Sequence, residues 1–336
     1  MAYIILNKSS FFNNLDIIVK QTKSIDKVAL VLKDNAYGHG LLEIATMAKE
    51  YGITKVVVSE LSEAKIIEEL FEYILVLNEI PTKVSKKIRY TINDLESISK
   101  FIKGSLVELK VDTGMHRNGI AMSELQSALS KIQENELILE AVFTHHRSAD
   151  ELSSEWFWQN DNFAKVKKEL KNLGYNNLRF HSSNSAALFR TVSFSEDIAR
   201  VGICAYGCME LPEALAVDGF KPVLAVYADR ISSRELIKGN AVGYGASYIA
   251  TKDVVVSNYD FGYGDGFLRE CSNNYKTPQD IELVGRISMD NSSFVSNDDR
   301  ILIFNDAREV AASAKTIGYE VLTSLKEKIK RKIEDL

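Results

Sequence analysis

At 336 residues, 46% hydrophobic and 26% charged, the chain is long enough to bury one large core or two smaller ones. A formal net charge of −5 with no basic stripe excludes a nucleic-acid footprint, and no apolar run reaches the length of a membrane span. Cys204, Cys208 and Cys271 are an odd number without C-x-x-C spacing. They read as free thiols in a reducing compartment, and the start "MAYIILNKSSFFNNLD" lacks signal-peptide character, so a cytoplasmic protein is expected.

From about residue 27, β-rich runs alternate with amphipathic stretches. "KVALVLK" (27–33) precedes the helical "HGLLEIATMAKEYG", and "KVVVSE" (55–60) precedes "LSEAKIIEELF", where Ser62 is a candidate cap. "YILVLNE" (73–79) precedes "PTKVSKKIR", with Pro81 suited to a first helical turn. "RYTIND" and "DLESISKFIKG" form the weakest pair. "LVELKVDTG" (106–114) precedes "SELQSALSKIQEN", and "LILEAVFTHH" (137–146) precedes "SEWFWQNDNFAKVKKELKNLGY". "NLRFHSSN" (177–184) precedes "SAALFRTV", and "DIARVGICAYG" (197–207) is the eighth run. Eight strand–helix units in about 200 residues predict a closed (β/α)8 TIM-type barrel rather than an open doubly wound sheet. After residue 215, Gly-, Asn- and Asp-punctuated strands predict a mostly-β C-terminal domain. The expected division is 1–215 for the barrel and 216–336 for the β domain, with the first few residues free to pair with the latter. The tail "KEKIKRKIEDL" reads as a solvated terminal segment.

Polar residues gather where barrel strands end, the face on which barrels place their sites. Lys33 ends the first strand and Arg117 follows the fifth. His145 and His146 end the sixth, His181 ends the seventh, and Arg200 lies in the eighth. Adjacent histidines on a strand point to opposite faces, and no strand-end acid completes a ligand set, so no metal is expected. The other chemistry is a lysine Schiff base with a phosphate-bearing cofactor. The turn "HSSNSAAL" would then offer hydroxyls and amides to an anion, although an ordinary cap by Ser182, Ser183 or Asn184 explains it equally.

In chain order, "KDNAYGHG", "KVDTGMHRNG", "FTHHRSADE", "HSSNSAALFR", "ARVGICAYG", "VGYGASY", "FGYGDGF" and "VGRISMD" closely resemble the alanine racemase family. The resemblance implies pyridoxal 5'-phosphate as cofactor, L- and D-alanine as substrates, and a role in supplying D-alanine for peptidoglycan. Lys33 would carry the cofactor and serve as one base, and Tyr244 would be the second, contributed by the partner of a homodimer with shared active sites. Tyr37, Ser185 and the backbone of Gly202 and Ile203 would hold the phosphate. Arg200 would face the pyridine nitrogen, oriented by His181. Arg117 and the backbone of Met289 would bind substrate, with His145, Lys110 and Asp290 in support. Lys110 is carbamylated in some members. Asp150, Tyr263, Arg269 and Arg286 would line the substrate corridor.

Three departures from the family stand out. A C-terminal tyrosine that usually touches the phosphate is missing: no Tyr occurs from 320 onward, and Glu327 or a neighbour occupies the aligned position. His146 replaces a residue that is more often apolar and aromatic, and Gly264 stands where Ala is common. A wider gate leaves a broader-specificity amino-acid racemase, acting on serine for example, as the alternative. A non-catalytic pyridoxal-phosphate carrier is a further one. A barrel decarboxylase would need an acid, not Arg200, at the ring nitrogen.

Overall fold

The computed structural model describes residues 1–335. β1 (Tyr3–Asn7) leads into the helix Lys8–Thr22, capped by the Asn7 side chain, which accepts from the Ser10 amide at 2.8 Å. The barrel strands follow: β2 (Val28–Val31), β3 (Lys55–Val58), β4 (Tyr73–Val76), β5 (Ile88–Ile92) and β6 (Leu106–Asp112). After a two-residue β7 (Ile120–Ala121) come β8 (Ile138–Phe143), β9 (Arg179–His181) and β10 (Ala199–Val201). All eight long-path strands are parallel, pairing in the order β10-β2-β3-β4-β5-β6-β8-β9. Between β9 and β10 the wall closes through Asp197 N–H to Phe180 C=O (3.1 Å) and Arg200 N–H to Ser183 C=O (2.9 Å). The predicted barrel is therefore present and nearly closed. Its strands, such as "VALV" and "YILV", are apolar on both faces because one face meets helices and the other the packed lumen.

Local expectations fail where side chains compete for the backbone. No helix follows Pro81. Instead the Ser85 hydroxyl accepts from the amides of Lys87 and Ile88 and turns the chain into β5. "DLESISKFIKG" forms only a 3-10 turn, Ser97–Lys100, started by the Asp94 carboxylate accepting from the Ser97 amide. The helix Leu61–Ile67 starts from Glu60, whose amide donates to the Glu63 carboxylate at 3.3 Å, two residues earlier than a Ser62 cap would allow.

The second sheet is built on β11 (Leu224–Leu236). A two-stranded hairpin, β12 (Ala241–Val242) and β13 (Tyr248–Ile249), precedes β14 (Val254–Tyr259), β15 (Ser292–Phe294), β16 (Arg300–Phe304) and β17 (Lys330–Glu334). β11 runs antiparallel to β14, β16 and β1, so the chain's first strand lies in the sheet of its last residues. Tyr3 and Tyr227 face each other in that register with rings stacked at 5.4 Å. The tail is not a solvated segment: β17 lies parallel to β1 from Tyr3–Lys330 to Asn7–Glu334. Its alternating Lys and Arg suit an exposed edge. Arg331 also reaches back to the Gly38 carbonyl, donating from Nη2 at 2.7 Å and Nε at 3.1 Å.

Because this guanidinium ties the tail to the barrel's first turn, Arg331→Met should lower stability by about 1–3 kcal/mol, the cost of a buried acceptor losing a charged donor. Urea unfolding would measure it. An unchanged midpoint would show that the clamp holds nothing.

Candidate functional site

Lys33 follows β2 directly, where the backbone does something rare. Asp34, Asn35, Ala36 and Tyr37 have φ of 55°, 55°, 51° and 52°, and Gly38 continues at 73°. This is a left-handed helical turn of four non-glycine residues. It closes through Ala36 N–H to Leu32 C=O (2.8 Å), Gly38 N–H to Asp34 C=O (3.0 Å) and Gly40 N–H to Asn35 C=O (3.0 Å). The Asn35 side chain accepts from the Leu41 amide at 2.8 Å, and Glu63 accepts from the Asn35 amide at 3.3 Å. Gly38 is obligatory, since a Cβ would lie 1.9 Å from the Leu322 carbonyl oxygen. Lys33 is left partly exposed, 3.6 Å from the Asp34 carboxylate, while Tyr37 is turned inward and buried.

The turn delivers Tyr37 to Gly202, where a Cβ would come within 2.7 Å of the Tyr37 hydroxyl oxygen. Beside it, the Ser185 hydroxyl accepts from the amides of Gly202 (3.1 Å) and Cys204 (3.4 Å), at the start of the helix Ser185–Arg190. Asn184 caps that helix by accepting from the Ala187 amide. Hydroxyls and main-chain amides converging where only glycine fits make a cradle suited to a phosphate. Ile203 lies between the two amide donors. Tyr319, which the sequence reading passed over, packs on Tyr37 with ring centroids 5.9 Å apart. Burial, with Cys204, Asp150 and Glu210 nearby, raises its hydroxyl pKa. Glu327 is exposed and contributes only its carbonyl, which accepts from Arg331.

On the neighbouring strands, Arg200 is buried and donates to the Thr144 carbonyl (2.6 Å), the His181 carbonyl (3.1 Å) and His181 Nδ1. Burial lowers Arg200 to about 10, which still leaves it charged at neutral pH. Lys110 is lowered to about 8, by burial first and then by Arg117 and Arg200. His145 is held well below its usual range by burial and the same cations, so it is neutral. His146, which like His145 lies beyond the end of β8 at Phe143, is buried near Trp156 with a ring separation of 6.3 Å. Arg117 stays exposed on a loop shaped by Asp112, whose Oδ1 accepts from the amides of Gly114, Met115 and His116.

Tyr244 is elsewhere. It stands 67% exposed at the tip of the β12–β13 hairpin, and among the described residues it makes no hydrogen bond to the barrel. Arg286 lies against this tip, its guanidinium 3.2 Å from where a Gly245 Cβ would be. Both line a cleft of about 820 Å³ on the β domain. Tyr263 and Met289 are exposed on the same domain, linked through Gly264 N–H to Met289 C=O (2.7 Å) and Tyr263 N–H to Ser288 C=O (3.0 Å). An alanine at 264 would bring its Cβ to 2.9 Å from that Met289 oxygen. Arg269 and Asp290 are exposed in this domain, and Asp150 is exposed on the barrel loop. One chain thus divides the predicted residues between a barrel mouth and a separate β-domain face.

Sequence reasoning missed two carboxylates. Glu108 is fully buried against His181, in a strand whose "VELKV" alternation reads as ordinary polar-outward spacing. Glu196 accepts from the Ser182 amide (2.7 Å) and hydroxyl (2.6 Å) and from the Ser183 amide and hydroxyl (3.1 Å each). No sequence signal marks that long-range cap.

A nearly closed barrel with a lysine at the end of its first strand, joined to a β domain, defines a two-domain barrel enzyme. Its relatives agree along the whole chain. Residues 6–210 match the family model "Alanine racemase, N-terminal domain", and 223–333 match "Alanine racemase, C-terminal domain". The chain is 43% identical to an alanine racemase of a Nitratiruptor species, covering 97% of each, and 39% identical to that of Campylobacter curvus, covering 99% of each. The crystal structure of alanine racemase from Bacillus anthracis with bound L-Ala-P superposes with a TM-score of 0.91 at 25% identity, covering 99% of this chain and 95% of that one. The enzyme from Bartonella henselae, which carries covalently bound pyridoxal phosphate, superposes with a TM-score of 0.85 at 23% identity, covering 99% of each. The chain belongs to the alanine racemase family.

Glu196 offers a test of the scaffold behind the cradle. Burial would raise its pKa, but its Ser182, Ser183 and Lys167 neighbours outweigh this and lower it from 4.5. Its stabilisation is therefore complete above about 4.5 and is lost as pH falls through its lower native value. Glu196→Gln should cost about 1–3 kcal/mol at pH 7, and the gap from wild type should narrow near pH 4. Urea midpoints at the two pH values would decide it, and a gap that widens in acid would sink the assignment.

Proposed function

We propose that this protein interconverts L- and D-alanine with pyridoxal 5'-phosphate as cofactor, moving the Cα proton between Lys33 of one protomer and Tyr244 of a second. The reading rests on one observation above all: Lys33, the Ser185–Gly202–Tyr37 cradle and Arg200 share one barrel mouth. The cradle fits the cofactor's phosphate, since it offers amides and hydroxyls where a side chain at 202 would block approach. When bound, the cofactor supplies an electron sink that makes the Cα proton removable.

The residues divide the work. Tyr37, Ser185, Gly202 and Ile203 hold the phosphate, and Lys33 anchors the cofactor and serves one face of Cα as base. Tyr244 serves the other face. A free phenol ionises near pH 10, so it needs positive neighbours when it gives up its proton. Arg117 supplies one, whereas His145, neutral, contributes hydrogen bonding. Arg200 keeps its proton at neutral pH, so it does not protonate the pyridine nitrogen. The sink is correspondingly weaker, which favours return of the proton to Cα over its loss to side reactions. Arg117 and the Met289 amide receive the substrate carboxylate, with Asp290 beside it. Asp150, Tyr263, Arg269 and Arg286 line the corridor.

On this reading residues 1–215 bind the cofactor, and 216–336 carry the second base. A homodimer brings each β-domain face to the other's barrel. The product, D-alanine, would feed peptidoglycan synthesis in the cytoplasm. No described helix is long and apolar enough to cross a membrane.

Chiral chromatography after separate incubation with L-alanine and L-serine tests the activity. The expected result is a near-equal D/L mixture from alanine and little change in serine. Tyr244→Phe should lower alanine racemisation by a factor of about 10² or more while cofactor absorbance is retained. Comparable serine conversion would favour the broader-specificity racemase, and no conversion with cofactor bound would favour a carrier.

Lys110 sits among cations that a negative charge would relieve. Only the neutral amine attacks CO2, giving a carbamate and releasing a proton. With its pKa lowered to about 8, the reactive form grows through pH 8 rather than 10.5. Carbon-13 NMR with labelled bicarbonate should show a carbamate that increases between pH 7 and 9 and is absent in Lys110→Arg. Its absence from wild type at pH 9 would leave Lys110 an unmodified amine.

A further inference from the structure

Glu108 is a fully buried carboxylate inside the barrel that the proton-transfer scheme does not use. Two donors converge on its Oε1: the Tyr73 hydroxyl from β4 at 2.6 Å and the Arg179 guanidinium from β9 at 3.1 Å. Its Oε2 meets His181 Nε2 at 2.9 Å. The other ring nitrogen, Nδ1, is in hydrogen-bond contact with Arg200 Nη1. Phe143 stacks on the imidazole at 4.8 Å and 10°, fixing its plane, and Arg200 lies over the same phenyl ring at 4.9 Å.

Donor and acceptor counting then sets the proton. A guanidinium has only donors, so Nδ1 must accept. The proton of a neutral ring therefore sits on Nε2, where it needs an acceptor. Burial holds His181 below its usual range, so the ring is neutral. Burial alone would raise Glu108, but His181, Tyr73 and Arg179 together hold it down to about 2. Arg179 does not require this carboxylate for neutralisation. It already pairs with Glu140 at 2.8 Å, which also takes Arg89 at 2.9 Å. Glu196, Lys110 and His145 face Arg200 from other elements and do not touch the His181 ring nitrogens.

The geometry points to Glu108 as a positioning residue: its carboxylate locks His181 in the Nε2–H tautomer and so holds a charged Arg200 toward the cofactor's ring nitrogen. The last clause rests on the racemase reading, whereas the tautomer lock does not.

Glu108→Gln tests it with nearly the same shape. Tyr73 and Arg179 require an acceptor at the Oε1 position, so the amide oxygen settles there and the NH2 faces His181 Nε2. The ring must then carry its proton on Nδ1, against an Arg200 donor. Nitrogen-15 NMR of histidine-labelled full-length protein, near neutral pH with and without pyridoxal phosphate, reads this directly. The chain has five histidines, and His181 is recognised by its proximity to the Phe143 ring. The expected result is Nε2–H in wild type and Nδ1–H in Glu108→Gln. In the cofactor-loaded variant, kcat should fall at least about tenfold with a smaller change in KM. The share of turnovers ending in pyruvate and pyridoxamine phosphate, in which the amino group passes to the cofactor, should rise.

A wild-type His181 that is protonated on Nδ1 or on both nitrogens overturns the proposal, even if the variant does not fold. So does a Glu108→Gln protein with an unchanged tautomer, or one with a changed tautomer but wild-type kcat and partitioning. If wild type racemises neither amino acid, the function reading fails while the tautomer lock is still decided by the spectra.

Discussion

Four consecutive non-glycine residues in the left-handed region constrain the rest of this molecule. Each costs roughly 1–2 kcal/mol, so the turn from Asp34 to Tyr37 stores on the order of 4–8 kcal/mol. That is comparable with the net stability of a whole domain. Such a turn persists only where its surroundings over-determine it. Leu32, Asn35 and Glu63 hold it from within the barrel, while the Arg331 guanidinium holds it from the C-terminal segment, whose Leu322 carbonyl leaves room only for glycine at 38. The strain has a geometric return. Lys33 leaves β2 toward the mouth, and four residues later Tyr37 is turned to the cradle at Gly202. A right-handed turn would place the two side chains differently and lose that pairing. The two sheets are therefore coupled by more than a linker: β1 lies between β11 and β17, and β17 carries the arginine that holds the turn.

Charge is layered along the barrel axis. Lys33, Lys110, Arg117 and Arg200 gather at the mouth, where burial first and neighbouring cations second lower Lys110 and His145. Asp34 lies 3.6 Å from Lys33 at the mouth, and the other compensating carboxylates are set deeper. Glu108 and Glu140 lie among the strands beneath, and Glu196 lies behind the Ser182–Ser183 turn. A mouth with this excess of cations favours anions.

The barrel was legible because buried parallel strands read as apolar runs and the intervening helices as amphipathic ones. Lys33 stood out because a lone cation ends such a run. The left-handed turn was not legible: "KDNAY" has no glycine until Gly38, and one of its ties, the Arg331 guanidinium on the Gly38 carbonyl, lies almost 300 residues away. The tail misled for a related reason. "KIKRKIE" looks solvated until β1 offers it a parallel edge, and β1 is the most distant segment in sequence. Glu108 was hidden by strand alternation, because in a barrel the polar side of "VELKV" can face the lumen as readily as solvent. Tyr319 escaped because its packing on Tyr37 joins two segments far apart in sequence. Motif matching named residues at both the mouth and the β domain without showing that one chain keeps them apart.

That separation has a chemical consequence. A planar carbon must be served from both faces, and a lysine fixed to the barrel wall reaches only one. On the proposed reading the opposite base would enter from outside the barrel. In this chain Tyr244 sits on a hairpin tip with Arg286 against it and with Met289 and Tyr263 exposed on the same domain. An exposed group of large side chains is what a subunit interface looks like before its partner arrives. On the proposed reading, a two-fold axis would meet the requirement twice over, since each copy would give its face and receive the other's. On that reading the left-handed turn, tied to the C-terminal strand, would keep each lysine in register with a base from another molecule.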